Sequence, residues 1–457
     1  MNKIIQKFLV NNPAISDIIS FLIHFKAYKK QYRFLKKSDK WSRDEIEEYQ
    51  LQELNRLLNH CYENVPYYTK LFNNLGLKPN DIQSIKDMQK LPYLTKKIVR
   101  ENTKDFIAKN IPKEKLEYIT TGGSTGEPLG IYILKGDTEA RHLAYKQTIL
   151  DYTKSNFTNR QLYLAGSEKM YSQQIFGRIV ALSSFFMKED NLPFYIEKIR
   201  KLKPKYILAY PSAIFTLARF INKHNISPFP SLKLIICAGE VIYDWQRDII
   251  EKTFQCKIHA FYNQAELVVF AKTCNFNSIY HVYPQFGITE LIGSNKKPIT
   301  NDGERGEIIG TSFFNYAFPL IRYNTKDIGI LSTKKCDCGS NYLLLENIEG
   351  RAQEFVVSEL NRYVPLTGIY GLVARSSKNV KDCQFFQEIK GELILNIVKD
   401  DNYSNLDEEK IKNNFVKRFE GEIKLKTRYV NNISRTKVGK SRFLIQKLPI
   451  NNWMKDV

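Results

Sequence analysis

The sequence predicts an α/β protein with a large amino-terminal domain and a small α+β carboxyl-terminal one, on three observations. The chain has 457 residues, more than one ordinary hydrophobic core accommodates. From about residue 200, short apolar runs alternate with helical ones: Tyr206 to Ala209, Ala213 to Ile221, Leu232 to Ala238, Asp244 to Phe254, Lys257 to Tyr262. That strand, helix, strand, helix, strand order implies a parallel sheet with right-handed crossovers. Beyond residue 350 the pattern becomes strands, a helix from Leu406 to Phe419, and strands again.

The amino-terminal 110 residues read as helices. Lys3 and Lys7 precede an apolar patch broken by Asn11, Asn12 and Pro13, and no small-residue cleavage site follows. Ile15 to Phe25 is about half the length of a membrane span and contains Asp17. Lys26, Lys29, Lys30, Arg33, Lys36 and Lys37 follow it directly. Two readings stand: a basic amphipathic segment lying on an anionic membrane, or a surface helix packed on the main domain. Ser42 to Glu45 is a capping-box start, with Ile46, Leu54, Leu57, Leu58 and Cys61 recurring on one face and an expected stop before Pro66.

Lys and Arg number 69 against 48 Asp and Glu, a formal charge of +21. Such a balance suits an acidic partner: a nucleotide, an anionic sugar or a membrane surface. No RNA- or DNA-binding motif accompanies it, so nucleic acid is not expected. Seven scattered cysteines are unlike the dense even framework of a small secreted domain, and fit a reducing cytoplasm.

The chemistry is announced by Tyr118 to Gly130. Thr120, Thr121, Ser124 and Thr125 supply hydroxyls, while Gly122, Gly123 and Gly126 leave room for an anion to reach backbone N–H groups. It is not a Walker A loop, because Glu127, Pro128 and Leu129 follow Gly126 where Lys and Ser/Thr are needed; nor is it a dinucleotide fingerprint, whose first Gly is replaced by Thr121. A phosphate cradle and a plain turn between strands both remain open.

Thr-Thr-Gly-Gly-Ser-Thr-Gly-Glu-Pro resembles the phosphate loop of adenylate-forming enzymes, in the branch holding phenylacetate-coenzyme A ligases and capsular polysaccharide biosynthesis (CapK) proteins. Later motifs of that family follow in order. Ala238-Gly239-Glu240 is similar to its adenine-side loop. Phe261 to Glu266 is similar to its aromatic, Gly, x, Ser/Thr, Glu segment, implying that Tyr262 stacks on adenine and Glu266 holds magnesium; Asn263 replaces the Gly, Gln264 is the free position, and Ala265 replaces the hydroxyl. Phe318 to Asp327 resembles the Pro-Leu-Ile-Arg-Tyr-x-Thr-Gly-Asp motif with Lys326 in place of Gly, and makes Asp327 the ribose ligand. Glu349 to Glu354 resembles the hinge motif, with Arg351 among the nucleotide contacts and Gln353 at the pivot. Ser434 to Lys440 resembles the closing motif and makes Lys440 the catalytic lysine.

The resemblance implies the adenylate-forming fold, a large domain of parallel and mixed sheets over residues 1–350 and a mobile domain over 351–457. It also implies ATP, magnesium and an acid substrate, carboxylic or amino, with coenzyme A, or a sugar amine or hydroxyl, as acyl acceptor. Cys274, His281, Cys336 and Cys338 offer three thiolates and an imidazole to one structural zinc. Separate thiols are the competing reading. Another class of function is a relative that has lost adenylation and binds a nucleotide, glycan or membrane; the departures at Asn263, Ala265, Lys326 and Gln353 favour it, whereas Glu266, Asp327 and Lys440 oppose it.

Overall fold

The computed structural model describes residues 13–448 apart from 121–128, 168, 175–176, 188, 352–354, 361–362, 366, 378, 420 and 436–441. Its first elements are helices: α1 (Pro13–Ser38), α2 (Arg43–Asn64), α3 (Pro66–Leu75) and the short α4 (Lys96–Glu101). The capping box forms, Ser42 N–H donating to Glu45 Oε2 at 2.7 Å and Glu45 N–H to Ser42 Oγ at 3.2 Å. It satisfies two donors that the first turn of α2 leaves without helical partners. Ile46, Leu54, Leu57, Leu58 and Cys61 are buried along one face of α2, and Pro66 opens α3, where its missing N–H costs nothing.

β1 (Leu116–Thr120) and β2 (Gly130–Leu134) form an antiparallel hairpin, with Thr120 opposite Gly130. Thr120 is exposed at its end; Thr121, Gly122, Gly123, Ser124, Thr125 and Gly126 lie outside the described residues. α5 (Asp137–Leu150) follows, and α1 packs along it. Tyr28 and Leu35 are buried there, and the Tyr32 hydroxyl donates to Asp151 Oδ2 at 2.8 Å. The six cations from Lys26 to Lys37 face solvent. Among the described residues no helix is long and apolar enough to cross a membrane.

The chain then runs β3 (Gln161–Ala165), β4 (Tyr171–Gln174), β5 (Ile179–Ser183), α6 (Leu192–Leu202), β6 (Tyr206–Ala209), α7 (Pro211–Lys223), β7 (Leu234–Cys237), α8 (Asp244–Phe254) and β8 (Ile258–Asn263). β5, β3, β6, β7 and β8 lie side by side and parallel. Leu162, Leu164, Ile207, Ala209, Ile235 and Cys237 join the core built with α6, α7 and α8. On the opposite face Tyr206, Leu234 and Ile236 pack with Ile149 and Leu150 of α5. Cover on both faces explains why these strands read as unbroken apolar runs.

Past β8 the sheet turns antiparallel through β9 (Phe270–Thr273), β10 (Tyr280–Val282), β11 (Gly287–Ile292), β12 (Arg305–Ser312), β13 (Tyr323–Ser332) and β14 (Leu343–Arg351). The result is one mixed sheet of twelve strands in the order β11-β12-β13-β14-β10-β9-β8-β7-β6-β3-β5-β4. Tyr145 of α5 meets Phe270 and Phe286 with ring centroids 5.0 and 5.2 Å apart, and so ties that helix to the antiparallel half.

The tail unit comprises β15 (Phe355–Val357), β16 (Tyr363–Pro365), α9 (Thr367–Ser376), β17 (Val380–Gln387), β18 (Glu392–Lys399), α10 (Asn405–Phe419), β19 (Lys424–Tyr429) and β20 (Leu444–Gln446). Val356, Ile369, Phe385, Leu395, Ile411 and Phe415 form its own core. It meets the large domain through polar and aromatic contacts: Arg219 Nη1 donates to the Lys381 carbonyl at 2.5 Å, Glu189 pairs with Lys381 at 2.6 Å and Lys223 with Asp400 at 3.7 Å, while Trp245 packs on the tail core and Tyr243 meets Phe443. The partly exposed ion pairs among them are weak individually.

Candidate active site

Ligands of parallel sheets gather where the strands end. At the end of β7, Ala238 leads to Gly239, whose φ of +82° is the left-handed backbone that glycine adopts without strain. Glu240 turns its carboxylate onto the first turn of α7, accepting from Ser212 N–H at 3.0 Å and Ser212 Oγ at 3.1 Å. A carboxylate there complements the positive end of the helix. Ser212 Oγ also accepts from Arg435 Nη1 at 3.4 Å. Arg435 thus reaches the strand ends of the large sheet, while Lys440, like Gln353, lies outside the described residues.

At the end of β8, the Tyr262 hydroxyl donates to Asp327 Oδ2 at 2.7 Å. Burial first, and the Asp327 charge second, push the phenol pKa well above its usual value, so the phenol keeps its proton and the carboxylate stays the acceptor. One hydrogen bond therefore joins two motifs 65 residues apart. Asp327 faces Arg351 across the β13 and β14 pairing. Glu266, 8% exposed, accepts from the Tyr323 hydroxyl through Oε1 at 3.0 Å. Phe261 stacks on Phe270 at 5.8 Å, beneath α5.

Two departures from the family pattern have physical explanations. Asn263 is not among the residues with positive φ, so no glycine conformation is required. Its Nδ2 donates to His142 Nε2 at 2.8 Å while its Oδ1 accepts from Gln264 N–H at 2.8 Å. That arrangement requires a neutral His142, and burial, with Lys146 one turn along, holds its pKa well below the ordinary imidazole value. Lys326 adopts φ +64°, the conformation for which Gly is the easy choice, and rests its ammonium on Glu307 at 3.3 Å. Ala265 leaves its position without a hydroxyl. Gln264 Oε1 accepts from Val269 N–H at 3.2 Å, and its Nε2 is buried without a partner among the described residues.

A clamp beneath the site was missed in the sequence. Arg322 is buried and forks onto Glu290 at 3.0 and 2.8 Å, and its Nη1 donates to the carbonyls of Met88 and Leu91 at 3.1 and 2.6 Å. Leu94 N–H donates to the Arg322 carbonyl at 2.9 Å. Leu91-Pro-Tyr-Leu and Ile321-Arg-Tyr are therefore one structural unit. The signal was the buried-type Arg within an apolar run, which needs a carboxylate partner.

Cys274, His281, Cys336 and Cys338 come together, their ligand atoms all within 4.8 Å of one another. β10 carries His281 between β9 and β14; Cys274 follows β9, and both later cysteines lie in the β13 to β14 connection. Cys274 Sγ and Cys336 Sγ are 3.6 Å apart, and Cys338 Sγ is 3.2 Å from His281 Nε2. Zinc–sulfur bonds of about 2.3 Å in a tetrahedron put sulfurs roughly 3.8 Å apart, so the donor set fits that ion after small adjustments of its side chains.

Comparison with known proteins finds relatives along most of the chain. Residues 356–447 match the family described as the CapK C-terminal domain. Protein CapK of Staphylococcus aureus is 26% identical over 427 residues, covering 89% of this chain and 90% of its own. Phenylacetate-coenzyme A ligase of Aromatoleum evansii is 28% identical over 306 residues, covering 64% of this chain and 67% of its own. Among solved structures, 2-hydroxyisobutyryl-CoA ligase in the postadenylation state, in complex with 2-HIB-AMP, superposes with a TM-score of 0.74 at 17% identity, over 92% of this chain and 94% of that one. This chain is thus a homologue of CapK and the phenylacetate-coenzyme A ligases, built on the adenylate-forming ligase fold.

Proposed function

We propose that this protein is an ATP-dependent acid ligase: a carboxylate oxygen of an organic or amino acid attacks the α-phosphorus of ATP, the bond to the bridging oxygen breaks, and pyrophosphate leaves. The Tyr262 to Asp327 hydrogen bond carries the reading, because it sets an aromatic face beside a carboxylate able to accept both ribose hydroxyls. Ala238 and Gly239 offer the narrow backbone wall against which a purine lies. Thr120 to Gly126 is assigned the outer phosphates, Arg351 a nucleotide contact, and Lys440 the bridge between the acid and the α-phosphate. Among the described residues Glu266 spends only Oε1 on Tyr323, which suits a magnesium ion on its other oxygen. Charge stabilisation and positioning supply the rate in such a scheme, and rotation about Gln353 completes the site.

The acyl group then passes to an acceptor, coenzyme A in the ligase branch or a sugar amine or hydroxyl in a capsule setting. The cysteine and histidine cluster is assigned a structural zinc, closed by four protein ligands. Acid-dependent exchange of pyrophosphate into ATP across a panel of carboxylic and amino acids tests the activation step, with thioester formation on adding coenzyme A testing the second. Exchange with at least one acid is expected; ATP binding with no exchange for any acid would instead identify a relative that has lost the reaction.

A further inference from the structure

Between α5 and the sheet lies a cavity of about 330 Å³. Its walls are apolar and aromatic, with Leu143 on the helix side, Tyr206, Leu208 and Ile236 on the sheet, Phe157 to one side, and Phe261 at the end nearest Tyr262. Lys146 also lines it, with Nζ 5.9 Å from the Phe261 ring centre. No carboxylate pairs with Lys146 among the described residues. Burial depresses its pKa, the mark of an ammonium removed from water without a counter-charge. Lys146 is half-buried, and a cation partly withdrawn from water without a counter-charge costs folding free energy, so its place in a largely apolar cavity needs a reason.

The position of Lys146 supplies one. It stands four residues after His142, hence on the same face of α5 and just over one turn, about 6 Å, along the axis. His142 holds Asn263, inside the segment assigned to the nucleotide, while Lys146 lies beside Phe261. An acid with its reacting carboxylate near that segment would extend its body past Phe261 and bring its far end to Lys146. We infer that the substrate is a dicarboxylic acid with an apolar body, activated at one carboxylate while the other pairs with Lys146 across the cavity. The inference rests on the adenylation reading and names the substrate class of the same site. Arg178, which also lines the cavity, adds positive potential in the same sense.

Matched acids test it in the full-length protein: adipate against hexanoate, and 1,4-phenylenediacetate against phenylacetate. In pyrophosphate exchange the wild type should favour the diacid of at least one pair in kcat/KM by about 10-fold or more, the scale of a charge-assisted hydrogen bond. Lys146→Met should lower that ratio by about 10- to 100-fold. An unchanged ratio in Lys146→Met, or a wild type that prefers monoacids in both pairs, overturns the inference. Calorimetric titration with adipate separates the two claims: binding that depends on Lys146 without exchange would retain the pocket and count against adenylation. Adipate binding equal in both proteins, or absent from the wild type, would overturn the pocket assignment.

Discussion

Lys440→Ala is expected to lower acid-dependent pyrophosphate exchange by at least about 100-fold, because a donor aimed at developing charge in a closed site is worth roughly 10²–10³ in rate. ATP affinity should stay within about threefold of wild type, since in this scheme the adenine, ribose and outer phosphates are held by the large domain and the lysine enters only on closure. Exchange measured beside equilibrium ATP binding checks both halves. The docking of Arg435 on Ser212 at 3.4 Å gives the expectation its structural basis, for it sets the residue five before Lys440 against the strand ends. Unchanged exchange would remove Lys440 from the mechanism, and a parallel collapse of ATP binding would make it a binding residue.

Replacing Cys336 and Cys338 together with serine should have the largest effect on stability. Metal analysis of the wild type should find about one zinc per chain, and of the double variant none. Structural zinc contributes about 10–16 kcal/mol to zinc-finger peptides. Even a fraction, roughly 3 kcal/mol, would lower Tm by about 4 °C in a domain of about 350 residues. The pairing of β10 with both β9 and β14 explains why the loss should spread: the ion would fasten three neighbouring strands. A metal-free wild type that melts at the temperature of the double variant would identify the four residues as packed thiols and an imidazole.

The elements best read from the sequence were those whose signal is local. The capping box at Ser42 and the stop before Pro66 depend on a few adjacent residues, and the strand and helix alternation after residue 200 on apolar runs covered on both faces. Bounds shifted where neighbours decide: the run from Leu232 narrows to β7 at Leu234–Cys237, and the helix expected from Ala213 begins at Pro211, whose fixed φ suits a first turn.

The site was legible as a list of parts and not as an assembly. No spacing rule connects Tyr262 with Asp327, or Arg322 with the carbonyls of Met88 and Leu91, because a sheet of mixed direction sets those meetings. The departure at Lys326 looked like a lost motif position, yet its φ of +64° keeps the backbone shape for which glycine is used. Likewise Asn263 could not be judged without its partner, since His142 lies 121 residues away.

The most direct measurement is a crystal structure of the protein with a non-hydrolysable ATP analogue and magnesium. It should find the purine between Tyr262 and the Ala238-Gly239 backbone, both ribose hydroxyls on Asp327, the metal at Glu266 and the outer phosphates at Thr120 to Gly126. An analogue bound elsewhere, or an adenosine that leaves Tyr262 and Asp327 untouched, would contradict the account.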